Sequence, residues 1–269
     1  MSVFIIVFSD LDGTLLDHNN YSYTAAKPCL DYIRENNIPL IFTSSKTSIE
    51  IENLCAETNF YHPYIAENGA LLCIPKNYFL LNTPTRTEYE KIMIGLPREE
   101  INQVLQKQHS IYEFQSFSTL TTSEIMNNTG LSESQAIGAN QRKCTEPILW
   151  NDSQSKLTEF SKQLELLNLQ LLRGGRFHHV MGIHDKATTM SLLLQKYKNN
   201  GNKSITSIAL GDSPNDYKML KTADYGVVIP NPHVAMASIE ESDKIIFAPN
   251  EGPKGWNDTL LNLFRKIFE

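Results

Sequence analysis

Two carboxylates two residues apart, Asp10 and Asp12, stand in the segment Asp10-Leu11-Asp12-Gly13-Thr14, directly after an apolar run. Such a pair can supply a nucleophile, a general acid and base, or ligands for a hard cation. A lone Asp-x-Asp also marks many turns and helix caps. Here a buried strand precedes it and Gly-Thr follows it, which places it where open α/β sheets bind ligands. A second acidic segment, Gly211-Asp212-Ser213-Pro214-Asn215-Asp216, also follows an apolar run, and Asp212 and Asp216 are four apart, on one face where a helix would begin. Alone it could be an N-cap with Pro214 in the first turn. Two acidic clusters on the same sheet edge repel each other unless a cation lies between them, and hard oxygen ligands suit Mg2+.

Two weaker signals accompany these. Phe42-Thr43-Ser44-Ser45-Lys46 follows a second apolar run, and hydroxyls with backbone N–H groups at a helix start make an anion site. The same residues would serve as a plain cap. Lys186, in His184-Asp185-Lys186-Ala187, reads by itself as a solvated surface charge, and its spacing adds nothing.

The elements that must position these groups follow from periodicity. Residues 3–9 are a β-branched and aromatic run too short for a helix, hence a buried strand, and 38–43 is a second. Helical spacing covers 22–37 and 47–59, and short strands at 64–66 and 71–74 flank the Glu67-Asn68-Gly69 turn. From about residue 83 the texture changes. Helical stretches near 99–108, 122–129 and 153–167 and strands at 169–172 and 177–181 interrupt the β-α-β rhythm. The rhythm resumes with helix 185–199, strand 205–210, helix 214–221, strands 225–229 and 244–247, and a closing amphipathic helix 256–268. The expected fold is α/β: a doubly wound, mostly parallel, Rossmann-like core sheet built from residues 1–83 and 184–269, with an inserted α+β domain at 84–183.

Composition sets outer limits. The chain has 269 residues, 41% of them hydrophobic and 20% charged, enough apolar mass for a real core. A net charge of −6 argues against bulk nucleic-acid binding. The longest clean apolar run, 3–8, is far too short to span a membrane, and no secretory signal is legible. Cys29, Cys55, Cys73 and Cys144 lack metal-binding spacing and read as reduced, buried thiols of a cytoplasmic chain.

The four chemistry-bearing segments, in this order, resemble the haloacid dehalogenase phosphohydrolase superfamily. The resemblance implies Asp10 as nucleophile, Asp12 as general acid/base, and Ser44, Lys186 and Asn215 as phosphate-binding residues. It implies a Mg2+ site drawn from Asp10, Asp12, Asp212 and Asp216, the last acting through water, and makes the insert a cap of the mixed α/β, Cof-like type that closes over substrate. One departure is His184-Asp185-Lys186, where Gly-Asp-Lys is commoner in the family.

Finer features, Ser44-Ser45-Lys46-Thr47, Gly175-Arg176-Phe177-His178-His179 and Gly252-Pro253-Lys254-Gly255-Trp256-Asn257, resemble the branch that dephosphorylates mannosyl-3-phosphoglycerate. A small sugar-phosphate substrate with a carboxylate is thereby implied. Ser45, Lys46, Arg142, Arg176 and His178 are the candidate substrate contacts, with Lys143 and Arg173 as further basic residues of the insert. If 177–181 is a strand, His178 and His179 alternate faces and at most one of them reaches a pocket. Trp256 reads as packing. A phosphatase for another sugar phosphate such as the glucosyl analogue, a sugar phosphomutase, and a non-catalytic sugar-phosphate binding module are the alternatives. The expected assembly is a monomer or homodimer.

Overall fold

The structure, a computed structural model, describes residues 4–80, 88–174, 177–202, 204–233, 239 and 242–268. Its core follows the expected rhythm: β1 (Phe4–Ser9), α1 (Lys27–Glu35), β2 (Leu40–Phe42), α2 (Ser48–Thr58), β3 (Tyr64–Ala66) and β4 (Leu71–Pro75). β5 (Tyr89–Met93) then pairs antiparallel with β4. The insert continues with α3 (Arg98–Gln108), β6 (Phe114–Ser116), α4 (Thr122–Thr129), α5 (Glu133–Asn140) and β7 (Thr145–Trp150). It ends with α6 (Gln154–Leu166), β8 (Leu169–Gly174) and β9 (Phe177–Gly182). The chain closes through α7 (Lys186–Asn199), β10 (Ile205–Gly211), α8 (Tyr217–Thr222), β11 (Tyr225–Val228), β12 (Ile245–Phe247) and α9 (Gly252–Phe268).

The central sheet has the order β12-β11-β10-β1-β2, and every neighbouring pair is parallel. β1 sits inside it, in register with Ile205–Leu210 on one side and Leu40–Phe42 on the other. Both of its faces are buried, which is why it reads as an unbroken apolar run and not as an alternating strand. Ile5 and Val7 pack with Leu30 and Ile33 of α1, Ile51 and Leu54 of α2, and Trp256, Leu260 and Phe264 of α9. Ile6 and Phe8 pack on the opposite face with Met190 and Leu193 of α7 and Met219 and Leu220 of α8. The sheet is therefore wound on both faces, as expected.

The insert carries its own antiparallel sheet, β6-β7-β9-β8. One core packs Ile148 and Val180 of that sheet against Ile101 and Leu105 of α3 and Phe160 and Leu164 of α6. A second gathers Phe117, Ile125, Ala136 and Phe177 with α4 and α5. Four of these elements were not expected from sequence. β5 and β6 are short, β7 contains Pro147, and α5 has few apolar side chains. None carries enough periodic signal to register before its partners are known.

The four cysteines are buried and free, and burial pushes their thiols upward, to about 12 for Cys55, Cys73 and Cys144. Among the described residues no helix is long and apolar enough to cross a membrane. Trp256 proves to be packing: it is fully buried, and its Nε1–H donates to Ser9 Oγ at 2.9 Å, one residue before Asp10. Replacing Trp256 by Ala should cost about 3–5 kcal/mol of stability, measured by denaturant unfolding. Trp256→Phe should cost less, while still losing the Ser9 bond.

Candidate active site

The site lies where the C-terminal ends of β1, β2 and β10 meet. Asp10 N–H donates to Leu210 O at 2.9 Å and Thr43 N–H to Ser9 O at 2.8 Å. The parallel ladder thus sets Asp10, Ser44 and Asp212 side by side as soon as the strands end. The loop after β1 is anchored by Leu11 and Leu15, both fully buried. At Gly13 it turns through φ +77°, and a side chain there would strike the Asp212 carboxylate.

Lys186, the first residue of α7, decides the electrostatics. Its ammonium donates to Asp10 Oδ1 and to Asp216 Oδ1, each at 2.6 Å. All three side chains are almost wholly buried. Asp10, Asp212 and Asp216 each offer a carboxylate oxygen, and these oxygens lie within 4.8 Å of one another. Asp216 Oδ2 further accepts from the backbone N–H groups of Asp212 and Ser213, and Asn231 Nδ2 donates to Asp212 Oδ2 at 2.5 Å. Burial pushes Asp10 well above the usual carboxylate range, and the neighbouring Asp216 and Asp212 add to the rise against the pull of Lys186. Burial, then Asp216, lifts Asp212 to about 7, against Asn231, Lys186 and Ser213. Burial opposes the charge on Lys186, but Asp10 and Asp216 outweigh it and hold the ammonium above its ordinary value.

With all three carboxylates ionised against the one ammonium, the cluster carries a formal charge of −2. A donor set of hard carboxylate oxygens at that spacing fits a divalent cation such as Mg2+. Asp12, grouped with the metal ligands from sequence, is not part of this cluster. Its Oδ2 lies 3.0 Å from Lys46 Nζ instead. Burial opposes the Lys46 charge, but Asp12 and Glu50 outweigh it and hold the ammonium well above its usual value.

The other sequence candidates fall as follows. Ser44 is buried at the end of β2, and its Oγ accepts from Lys46 N–H at 3.2 Å. Asn215 accepts from Ser213 Oγ at 2.5 Å within the last acidic loop and donates to Asn68 Oδ1 at 3.1 Å, and the second bond ties that loop to the turn after β3. Arg142 crosses from the insert to the core, donating to Ser45 O at 3.0 Å and to Thr145 Oγ1 at 2.9 Å. The two histidines of β9 take opposite faces. His178 is paired with Ile148 and shares its strand face with Val180, whereas His179 is buried and held to about 3, first by burial and then by the nearby Arg142 charge. Arg176 lies outside the described residues, as does residue 83, the expected boundary between the first core segment and the insert.

The Glu67-Asn68-Gly69 turn, to which no site role was assigned from sequence, organises the surroundings. Glu67, Asn68 and Gly69 are three consecutive residues with positive φ (+50°, +57° and +99°). Such a turn stores strain and persists only where contacts fix it. The Glu67 carboxylate accepts from Lys143 N–H (2.8 Å), Cys144 N–H (2.9 Å) and Thr145 Oγ1 (2.8 Å), all in the insert. Asn68 N–H donates to Ser44 O, and Thr189 Oγ1 of α7 donates to Gly69 O. A side chain at Gly69 would collide with the Asp185 carbonyl. The available signal was the Glu-Asn-Gly turn itself, standing between two fully apolar strands.

The family profile described as haloacid dehalogenase-like hydrolase matches residues 7–251. The chain belongs to that family. It is 34% identical over 266 residues to a protein from Methanococcoides burtonii named glucosyl-3-phosphoglycerate/mannosyl-3-phosphoglycerate phosphatase, with 97% of each chain covered. A protein of the same name from Persephonella marina is 32% identical over 266 residues, with 98% of each covered. A phosphatase of the haloalkanoate enzyme superfamily from Bacteroides thetaiotaomicron superposes with a TM-score of 0.68 at 16% identity, covering 97% of this chain and 96% of that one, and shares the fold. As in other family members, a divalent cation is the general companion of such an acidic cluster.

The raised carboxylates have a consequence for stability. Asp212 moves from 3.8 to about 7 on folding, and Asp10 moves the same way. Without metal the folded chain therefore binds more protons than the unfolded chain across that window, and stability falls as pH rises through it. With chelator present, the melting temperature should drop between about pH 5 and about pH 8, with this cluster contributing to the fall. Added Mg2+ should raise it more at the higher pH. A Mg2+ effect that is larger at the lower pH would contradict the assignment.

Proposed function

We propose that this phosphoric monoester hydrolase removes the phosphoryl group from a glycosyl-3-phosphoglycerate, the mannosyl compound foremost, through an aspartyl-phosphate on Asp10. The observation that carries the reading is the Lys186 ammonium clasped between Asp10 and Asp216, with Asp212 beside them and Asp12 two residues from the nucleophile. The substrate class rests on the names of the two curated relatives, which carry both the glucosyl and the mannosyl compounds. The basic groups Lys46 and Arg142, near the core loop after β2, support a substrate with a second anionic group.

The chemistry follows from the positions. Asp10 is buried, and its second oxygen, Oδ2, is free of the Lys186 bond; that oxygen attacks phosphorus as the ester P–O bond breaks. Lys186 sits where the phosphoryl oxygens arrive and offsets part of a charge of about −1.5 to −2. Asp12, more exposed than Asp10, gives a proton to the leaving oxygen once it has itself taken one up from solvent. It then takes a proton from the water that attacks the aspartyl-phosphate, which frees phosphate and restores Asp10. Asp10 and Asp212 would hold Mg2+, with Asp216 acting through water, and the bound ion would supply further charge neutralisation. Ser44 Oγ and the N–H groups at the start of α2 would receive phosphoryl oxygens, with Asn215 fixing the loop opposite. Residues 84–183 act in this reading as the cap that selects the leaving group and excludes water.

Phosphate release should be measured across mannosyl-3-phosphoglycerate, glucosyl-3-phosphoglycerate and simple sugar phosphates, with and without Mg2+. Release from the glycosyl-phosphoglycerates without a bisphosphate activator supports hydrolysis and sets aside a mutase. Asp10→Asn should lower kcat by about 10³-fold or more while the protein still binds Mg2+. Unchanged turnover in that variant would remove the covalent route.

A further inference from the structure

Tyr21 occupies a backbone conformation that core packing does not explain. Its φ is +57°, a left-handed backbone that aromatic residues rarely adopt. Local bonds hold it there: Tyr21 N–H donates to Asp17 O, and Asp17 N–H to Ser22 O, each at 2.9 Å. The Asp17 carboxylate accepts from the N–H groups of Asn19 and Asn20, and Asn20 Oδ1 from Ser22 N–H. Packing gives no reason for this arrangement. Tyr21 is 49% exposed and belongs to no core cluster, whereas Tyr23, two residues on, packs against the core. What the conformation achieves is a position: the ring stands 5.1 Å from Lys46 Nζ. Lys46 in turn meets Asp12 Oδ2 at 3.0 Å and Glu50 Oε1 at 3.9 Å.

We propose that Tyr21 and Lys46 form the leaving-group subsite of this enzyme, Lys46 receiving the carboxylate of the glycerate and the exposed Tyr21 ring receiving the hexose. The inference rests on the substrate class proposed above and assigns two residues to its parts. The leaving oxygen takes its proton from Asp12, so the rest of the leaving group lies on the side of Asp12 remote from the buried Asp10, Lys186 and Asp216. In a 3-phosphoglycerate ester the carboxylate is two carbons from the leaving carbon–oxygen bond, within reach of an ammonium already paired with Asp12. The hexose, borne on the carbon between, then lies beyond the ammonium, where the aromatic face is. Aromatic faces accept the C–H surface of a pyranose ring while their edges stay solvated. The strain at Tyr21 is of the kind found where a side chain is held for binding and not for stability.

The test compares kcat/KM on mannosyl-3-phosphoglycerate with kcat/KM on 3-phosphoglycerate, which keeps the carboxylate and lacks the hexose. Tyr21→Ala and Tyr21→Gly should lose about tenfold more on the glycosylated substrate than on the bare one, mainly through KM. Tyr21→Phe, which keeps the ring, should hold the wild-type ratio. Glycine favours positive φ, so Tyr21→Gly removes the ring without loading the turn with strain, and its folding does not depend on the outcome for alanine. Lys46→Met should weaken both substrates and weaken phosphate esters without a carboxylate less. Equal losses on the two substrates in Tyr21→Gly, or a Tyr21→Phe variant that behaves like Tyr21→Gly, would overturn the inference. Wild-type enzyme that releases no phosphate from any glycosyl-3-phosphoglycerate would overturn the substrate reading and this subsite with it. Wild-type activity with unaltered discrimination in Tyr21→Gly would overturn the subsite alone.

Discussion

A single buried ammonium holds the catalytic end of this molecule together. Lys186 is 1% exposed and lies between two carboxylates. An ion so placed costs several kcal/mol to desolvate and is tolerated only when paired and hydrogen-bonded. That requirement fixes three chain segments far apart in sequence: the end of β1 at Asp10, the loop after β10 at Asp216, and the first residue of α7. Parallel strands whose carboxyl ends share one edge satisfy it, and a helix returning beneath the sheet delivers the lysine. With its carboxylates ionised the cluster carries a formal charge of −2, which suits a divalent cation. Burial first, and the neighbouring carboxylates after it, raise the Asp212 and Asp10 carboxyls.

A second constraint connects the insert to this centre. The strained turn at residues 67–69 faces three ways. Its backbone reaches Ser44 and α7, its Asn68 side chain receives Asn215, and its Glu67 carboxylate collects three donors from residues 143–145. Arg142 and Thr47 add further ties across the same junction, the first to Ser45 O and the second to Gly138 O. The insert is thus held against the β2 loop by bonds clustered at one place. A junction of this kind lets an insert of its own two hydrophobic cores keep a defined relation to the carboxylates while remaining a separate packing unit.

Much of the site could be read before the fold was known. Asp10, Asp12, Asp212 and Asp216 stand directly after strands whose apolar runs are unmistakable, so both their chemistry and their edge of the sheet were legible. Lys186 was not legible from its own surroundings. A lysine after Asp185 looks like any capped helix start, and only the resemblance to the family drew it in. The insert was read least well. β7 with its internal Pro147 and α5 with its small residues owe their existence to neighbours, and local propensity is silent where tertiary pairing decides. The two histidines of β9 show the same limit: alternation says that one faces each way, and only the register of β9 against β7 says which.

The amino-acid sequence by itself determined the α/β order, the buried central strands and the acidic groups that end them, because those features are written in short-range period and composition. Only the tertiary structure decided that Lys186 would lie between Asp10 and Asp216, that Asp12 would turn to Lys46, that Arg142 would grip Ser45, and that Glu67 would receive the insert. Each of these is a contact between groups distant along the chain. Their distance and angle are set by the twist and register of the sheets, which are global properties that no single segment of the chain contains.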